Sequence, residues 1–217
     1  VWKLIGALLE SRLSNVLDET VRYGNETSER VGRAVSSYIK GDEETARELI
    51  DTTAAVNEKS YRIEDECLKI LGLHQPVAKD LRLASSIMRS AIELERINIL
   101  LAYIARYAID GRDRTPPHIE FMSQTVQDMI NDALGALMNR DIQLLKRSTR
   151  NYIQLQDLYN QLQESNRDFS ESGNLMLVAR NLLSMGHHVM GMDDRIAYLI
   201  VGKRVIHHKV FYSVLMK

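Results

Sequence analysis

Ala34-Val-Ser-Ser-Tyr-Ile-Lys-Gly-Asp42 lines up without gaps on Ala133-Leu-Gly-Ala-Leu-Met-Asn-Arg-Asp141. In both stretches an alanine-led apolar run ends in a polar break, and an aspartate opens the next segment. An aspartate there is a good N-cap, because its carboxylate accepts from N–H groups that the first helical turn leaves unpaired. After the first copy, Glu43 and Glu44 also complement the positive end of the helix dipole. Each stretch therefore reads as one helix ending and another beginning. Glu58 and Asp157 keep the same offset, which carries the correspondence into the next helix. A repeat distance of about 100 residues is too long for a solenoid and implies a duplicated domain.

Outward from this repeat, the segment from Asp80 to Asp110 reads as the clearest helix. Leu83, Ile87, Leu94, Ile97, Leu101, Ile104 and Ala108 recur at helical steps, with Arg82, Arg89, Glu93 and Arg96 on the opposite side. Pro76 sits where a first-turn proline would start this helix, and Gly111 where a glycine would close it. One helix before it runs to Lys40, with Val1 to Asn15 as an amphipathic entry. A second runs from Asp42 through Leu49, Val56, Ile63 and Ile70 to Gly72, an unbroken seven-residue step typical of long, nearly parallel packed helices. Gly111-Arg-Asp-Arg-Thr-Pro-Pro117 is the evident linker. Beyond it, Leu145, Tyr152, Leu155, Tyr159 and Leu162 mark the second copy's middle helix. A polar loop from Ser165 to Asn174 then leads to a third helix from Leu175 to Gly202. The expected fold is all-α, two tandem three-helix bundles with six long antiparallel helices, in units spanning 1–111 and 112–217. The second unit ends in a basic tail, Lys203–Lys217, readable as a strand, a further helical turn or a junction.

Composition agrees and narrows the function. At 217 residues, 45% hydrophobic and 26% charged, the chain can build a real core. Its 11 glycines and 3 prolines are too few for the tight turns of an all-β fold. With 28 basic and 29 acidic residues, a net charge of -1 offers no general pull toward nucleic acid. The single cysteine, Cys67, excludes an internal disulfide and a CxxC zinc site; it fits a reducing compartment and reads as a small core residue. No apolar run approaches the ~18 residues of a membrane span, so any membrane association is expected to be peripheral at most.

Catalytic constellations are missing. The sequence has no Gly-x-Ser-x-Gly elbow and no glycine-rich phosphate loop. No Glu has a His three residues later, as inward-facing di-iron pairs need, and His-Glu-x-x-His is absent too. Asp128 and Asp132, four apart on one helix, have the spacing to hold a hard cation but read as a solvated face, as do Glu64-Asp65-Glu66. His187 and His188 lie within Ser184-Met-Gly-His-His-Val-Met-Gly-Met-Asp-Asp194. As neighbours on a helix they point in different directions and do not chelate one ion. They read as packed or hydrogen-bonded, with Met185, Met190 and Met192 filling the core.

Leu73-His-Gln-Pro-Val-Ala-Lys-Asp-Leu-Arg82 followed by Glu93-Leu-Glu-Arg-Ile97 resembles the signature of the PhoU family. Asp194-Arg-Ile-Ala-Tyr-Leu-Ile-Val-Gly202 is similar to the end of that family's second repeat. The resemblance covers the chain from about Asp18 to Gly202. It implies the duplicated three-helix fold and a cytoplasmic regulator of phosphate uptake, an adaptor between a phosphate transporter's ATPase and a membrane sensor kinase that damps phosphate-starvation signalling. It also implies, for some members, a multinuclear metal cluster on acidic E/D-x-x-x-D motifs in the third helix of each repeat. Here the first motif keeps Glu95 but has Ile99 at the aspartate position, with Tyr103 and Arg106 replacing the asparagine and glutamate that follow. In the second, Leu183 and His187 stand at the acidic positions and Asp194 alone keeps an acid. An isoleucine cannot ligate a cation, and a nearby arginine opposes one.

The chain is therefore expected to bind protein partners rather than catalyse a reaction, with no cofactor and without the family's metal cluster. Glu95, His187 and Asp194 are the ligands left should a metal bind. Partner contact is expected on the third-helix surface at Arg89, Glu93, Arg96 and Arg106, and the long amphipathic helices point to a homodimer. Two other readings stay open. One is a metal-dependent helical bundle, enzyme or ion store, using His187, His188 and Asp194 with carboxylates of other helices. The other is a PhoU-like regulatory module of a larger transporter or transcription factor.

Overall fold

A computed structural model describes residues 2–110, 117–165 and 173–203. They form six helices: α1 (Trp2–Lys40), α2 (Glu43–His74), α3 (Ala78–Asp110), α4 (His118–Asn139), α5 (Ile142–Ser165) and α6 (Gly173–Val201). The expected stop at Gly111 and the tail beyond Lys203 lie outside the described residues.

The duplicated break is built as read. Gly41 turns left-handed at φ +69°, and Asp42 caps α2, its Oδ1 accepting from the Thr45 N–H at 3.0 Å and its Oδ2 from the Thr45 hydroxyl at 2.7 Å. Those bonds hold the Asp42 carboxyl below its ordinary range. In the second copy Arg140 takes the left-handed turn (φ +57°) and Asp141 accepts from the Gln143 N–H at 2.8 Å. The α2–α3 corner corrects two expectations. Helix α2 runs past Gly72 to His74, because one interior glycine costs only about 1 kcal/mol. Pro76, lacking an N–H, sits in the connector rather than in the first turn of α3. The chain closes α2 at Gln75 (φ +45°), whose N–H donates to the Leu71 carbonyl at 3.2 Å, and restarts at Ala78.

Helices α1, α3, α4 and α6 make the inner layer. Within the repeats α1 packs on α3 and α4 on α6; between them α1 meets α4 and α3 meets α6. Helix α2 covers α1 and α3 from outside, and α5 covers α4 and α6. The core is the set of stripes visible in the sequence: Leu49, Val56, Ile63 and Ile70 on α2, and Leu83 through Ala108 on α3, are buried. Cys67 is fully buried, and burial pushes its thiol up to about 12, as suits an inert core residue.

At the repeat offset the two copies keep one interhelical ion pair with its polarity inverted. Arg33 on α1 meets Glu48 on α2 at 2.5 Å; the matching positions hold Asp132 on α4 and Arg147 on α5, with Arg147 Nε 2.8 Å from Asp132 Oδ2. This corrects the reading of Asp128 and Asp132 as one solvated face. Asp128 is exposed, but α5 packs over Asp132 and leaves it 2% exposed beneath the arginine. Arg147→Ala should strand that carboxylate and cost about 1–2 kcal/mol, less than a fully buried pair because Arg147 is 59% exposed. Asp132→Arg with Arg147→Glu copies the first repeat's polarity and should recover most of the loss in urea denaturation. A double variant no more stable than Arg147→Ala would show that the pair is not an exchangeable unit.

The two interiors differ more sharply. In the first repeat Arg30 of α1 is 5% exposed. It donates to Asn98 Oδ1 on α3 (3.1 Å) and, on α2, to Thr52 Oγ1 (2.9 Å), the Leu49 carbonyl (2.9 Å) and Thr53 Oγ1 (3.2 Å). Asn98 in turn donates to Thr27 Oγ1 at 2.8 Å and to the Tyr23 hydroxyl at 3.3 Å. At the equivalent positions the second repeat holds Met122, Val126, Met129 and Gly186, all buried. Its own polar interior is a fully buried aspartate, Asp193, which accepts from Ser148 at 2.6 Å.

Candidate functional site

The third helices of the two repeats meet along a seam, and Glu93 of the PhoU-like signature lies in it. Glu93 of α3 is 4% exposed. Its Oε2 lies 2.7 Å from Nδ1 of His188 on α6, with the ring N–H as donor since a carboxylate only accepts; its Oε1 lies 2.5 Å from Arg89 one turn away. Position 191 allows this approach by being glycine: a Cβ there would stand 2.6 Å from Glu93 Oε1. Further along, Ser86 donates to the Arg195 carbonyl at 3.0 Å, and the Arg82 guanidinium lies 6.0 Å from the Tyr198 ring centroid. These pairings step up α3 and down α6, so the helices run antiparallel.

Arg89, Arg96 and Arg106 are exposed. Glu93 is not: it is consumed by the seam and leaves the outer surface. The periodicity of α3 alone places it outside, because the helix that buries it arrives from the second repeat. Arg82, Arg89 and Arg96 follow one another at seven-residue steps, two helical turns or about 10 Å apart, on one stripe beside α6. Arg106 turns instead toward α2, into a cleft it shares with Arg47, Asp51 and Asp110.

The positions of the acidic motifs are held apart. Glu95 faces α2 and accepts from the Tyr61 hydroxyl at 3.2 Å, a bond that raises the phenol's pKa. Ile99 is half-buried and Tyr103 exposed beyond it. On α6, His187 faces α5, its Nδ1 3.4 Å from the Tyr152 hydroxyl; Leu183 is half-buried and Asp194 exposed. Glu95 thus lies on the α2 side of one helix and His187 on the α5 side of the other. Among the described residues no three His, Cys, Asp or Glu side chains come together as a ligand set.

The description "PhoU domain" belongs to the family model that matches residues 20–108 and again residues 119–192, one match on each repeat. The chain belongs to the PhoU family. It is 99% identical, over all of both chains, to the phosphate-specific transport system accessory protein PhoU homolog 2 of Methanothermobacter thermautotrophicus. To the PhoU homolog of Pseudomonas aeruginosa it is 29% identical, over 94% of this chain and 89% of that relative. Among solved structures, PhoU from Pseudomonas aeruginosa superposes with a TM-score of 0.80 at 26% identity, over 89% of this chain and 99% of that one. The phosphate transport system regulatory protein PhoU from Streptococcus pneumoniae gives 0.85 at 21% identity, over 92% and 100%, and shares the fold.

Within this PhoU fold, sequence reasoning passed over Arg30, Asn98 and Asp193. A signal existed for the first: Tyr23, Thr27 and Arg30 recur at steps of four and three, the spacing of a buried stripe, with polar side chains in it. Asp193 carried none, since a lone aspartate beside Asp194 reads as surface.

Proposed function

We propose that this PhoU-family chain is an accessory protein of phosphate transport that acts by holding protein partners and performs no chemistry of its own. The observation that carries the reading is the family match on both repeats, joined to relatives named as accessory proteins of the phosphate-specific transport system. The proposed partners are the transporter's ATPase subunit and the sensor kinase of phosphate starvation. The exposed arginines of α3, Arg89, Arg96 and Arg106, form the contact. No described helix is long and apolar enough to cross a membrane, and the proposed setting is the cytoplasm, on the ATPase side of the transporter. Deleting the gene should leave a phosphate-starvation reporter switched on in phosphate-replete cells and alter phosphate uptake. Unchanged uptake and an unchanged reporter would count against the reading.

A further inference from the structure

The α3–α6 seam carries a local charge that the whole chain, at -1, does not. On α3, Arg82, Arg89 and Arg96 form a line about 21 Å long, from 14 residues at 1.5 Å rise. Across the seam α6 adds Arg195, with the exposed Arg180 further along the same helix. The acid inside the seam, Glu93, is buried beneath this line and committed to Arg89 and His188. Glu95 faces the other way, toward Tyr61 of α2, and Asp194 is the exposed acid on the α6 side. Among the described residues the guanidinium groups of Arg96 and Arg195 enter no ion pair, and the buried Nε of Arg82 has no acceptor.

We infer that this line of arginines receives an acidic helix of the partner protein, a deepening that rests on the accessory reading above. Guanidinium forks bind carboxylates bidentately, which makes arginine rather than lysine suited to such a contact. A second helix with acids at seven-residue steps would set one carboxylate against each of Arg82, Arg89 and Arg96. A straight line of charges two helical turns apart matches the side-chain spacing of a second helix laid alongside.

The test measures binding of the full chain to the purified ATPase subunit, to the sensor kinase's cytoplasmic portion, and to phosphatidylglycerol vesicles. The variant is Arg96→Glu with Arg195→Glu; Arg89 stays, since its reversal would set a carboxylate against Glu93. A control reverses two exposed arginines elsewhere, Arg22→Glu on α1 and Arg150→Glu on α5, and thermal melts confirm that both variants fold. The expected result is protein binding weakened about ten- to a hundredfold by the seam variant at low salt, a gap that narrows as salt rises, with the control unaffected. If a partner binds and the seam variant binds equally well, the inference fails while the accessory reading stands. If neither protein binds the unaltered chain, both fail. Vesicle binding lost in the seam variant, with no protein binding, would reassign the face to a membrane surface and overturn the acidic helix.

Discussion

Arg30→Ala is expected to cost about 2–4 kcal/mol, through the cavity it opens and the buried acceptor it strands, and to lower the melting midpoint by about 4–16 °C. Arg30 is the point at which the three helices of the first repeat are tied together: it leaves α1, reaches Asn98 on α3, and takes Thr52, Thr53 and the Leu49 carbonyl on α2. Its cation has no carboxylate in direct contact. Burial lowers its pKa, and the charges of Glu26 and Glu48 oppose that at a distance; a guanidinium nonetheless stays charged in any folded protein. Alanine would remove the tie, open a cavity and leave Asn98 Oδ1 without its donor. The threonine hydroxyls would lose less, because each also donates within α2, Thr52 to the Glu48 carbonyl and Thr53 to the Leu49 carbonyl.

The second repeat suggests the control. Its equivalent of Arg30 is the fully buried Met129, so this packing position accepts an unbranched apolar side chain. Arg30→Met should therefore fall between the unaltered chain and alanine. Adding Asn98→Ala to it should cost less than the sum of the two changes, because removing both partners of a buried hydrogen bond is cheaper than removing one. Guanidinium denaturation of the four proteins reads this coupling. Additive losses, or an Arg30→Ala melt within a degree of the parent, would show that the network does not hold these helices.

What was legible in the sequence is what is local. The stripes Leu49–Ile70 and Leu83–Ala108 announce themselves through helical spacing, and Gly41-Asp42 is stop and start within adjacent letters. The same locality explains the misreading at Pro76: a proline signals a boundary, but whether it opens a helix or stands before one depends on how the preceding helix closes, here through a left-handed Gln75. Buried polar residues were illegible for a different reason. Glu93 is covered by His188, separated from it by 95 residues, and Arg30 is satisfied by Asn98, 68 residues on. A polar letter on a helix reads as surface until the element that covers it is known. The family resemblance supplied the fold and the expected acidic positions. It could not reveal that Glu93 closes the joint between the repeats, which the geometry shows directly.

Asp193→Ala is expected to flatten the pH dependence of stability and, above neutral pH, to leave the protein more stable than its parent. Asp193 is fully buried, with Oδ2 accepting from Ser148 at 2.6 Å and Oδ1 without a partner. Burial drives its pKa well above the ordinary carboxylate value; the Ser148 bond works against that shift, and the charges of Asp132 and Asp194 add to it. The folded protein therefore holds this group neutral where the unfolded chain, titrating near about 3.9, has released the proton. Below that pH both states are protonated and no penalty exists. As pH rises, stability should fall by up to about 1.4 kcal/mol per pH unit until the folded group itself titrates. Alanine abolishes the slope, at the cost of a small cavity of about 1 kcal/mol that should show at pH 4. The first repeat holds Ala105 at the equivalent place, fully buried, so the packing tolerates it. The stability curves of variant and parent should cross between pH 4 and pH 8 in urea denaturation. Asp193→Asn keeps the shape without the titration and should share the flat profile. If either variant tracks the parent's slope across that range, Asp193 is not the proton that folding takes up.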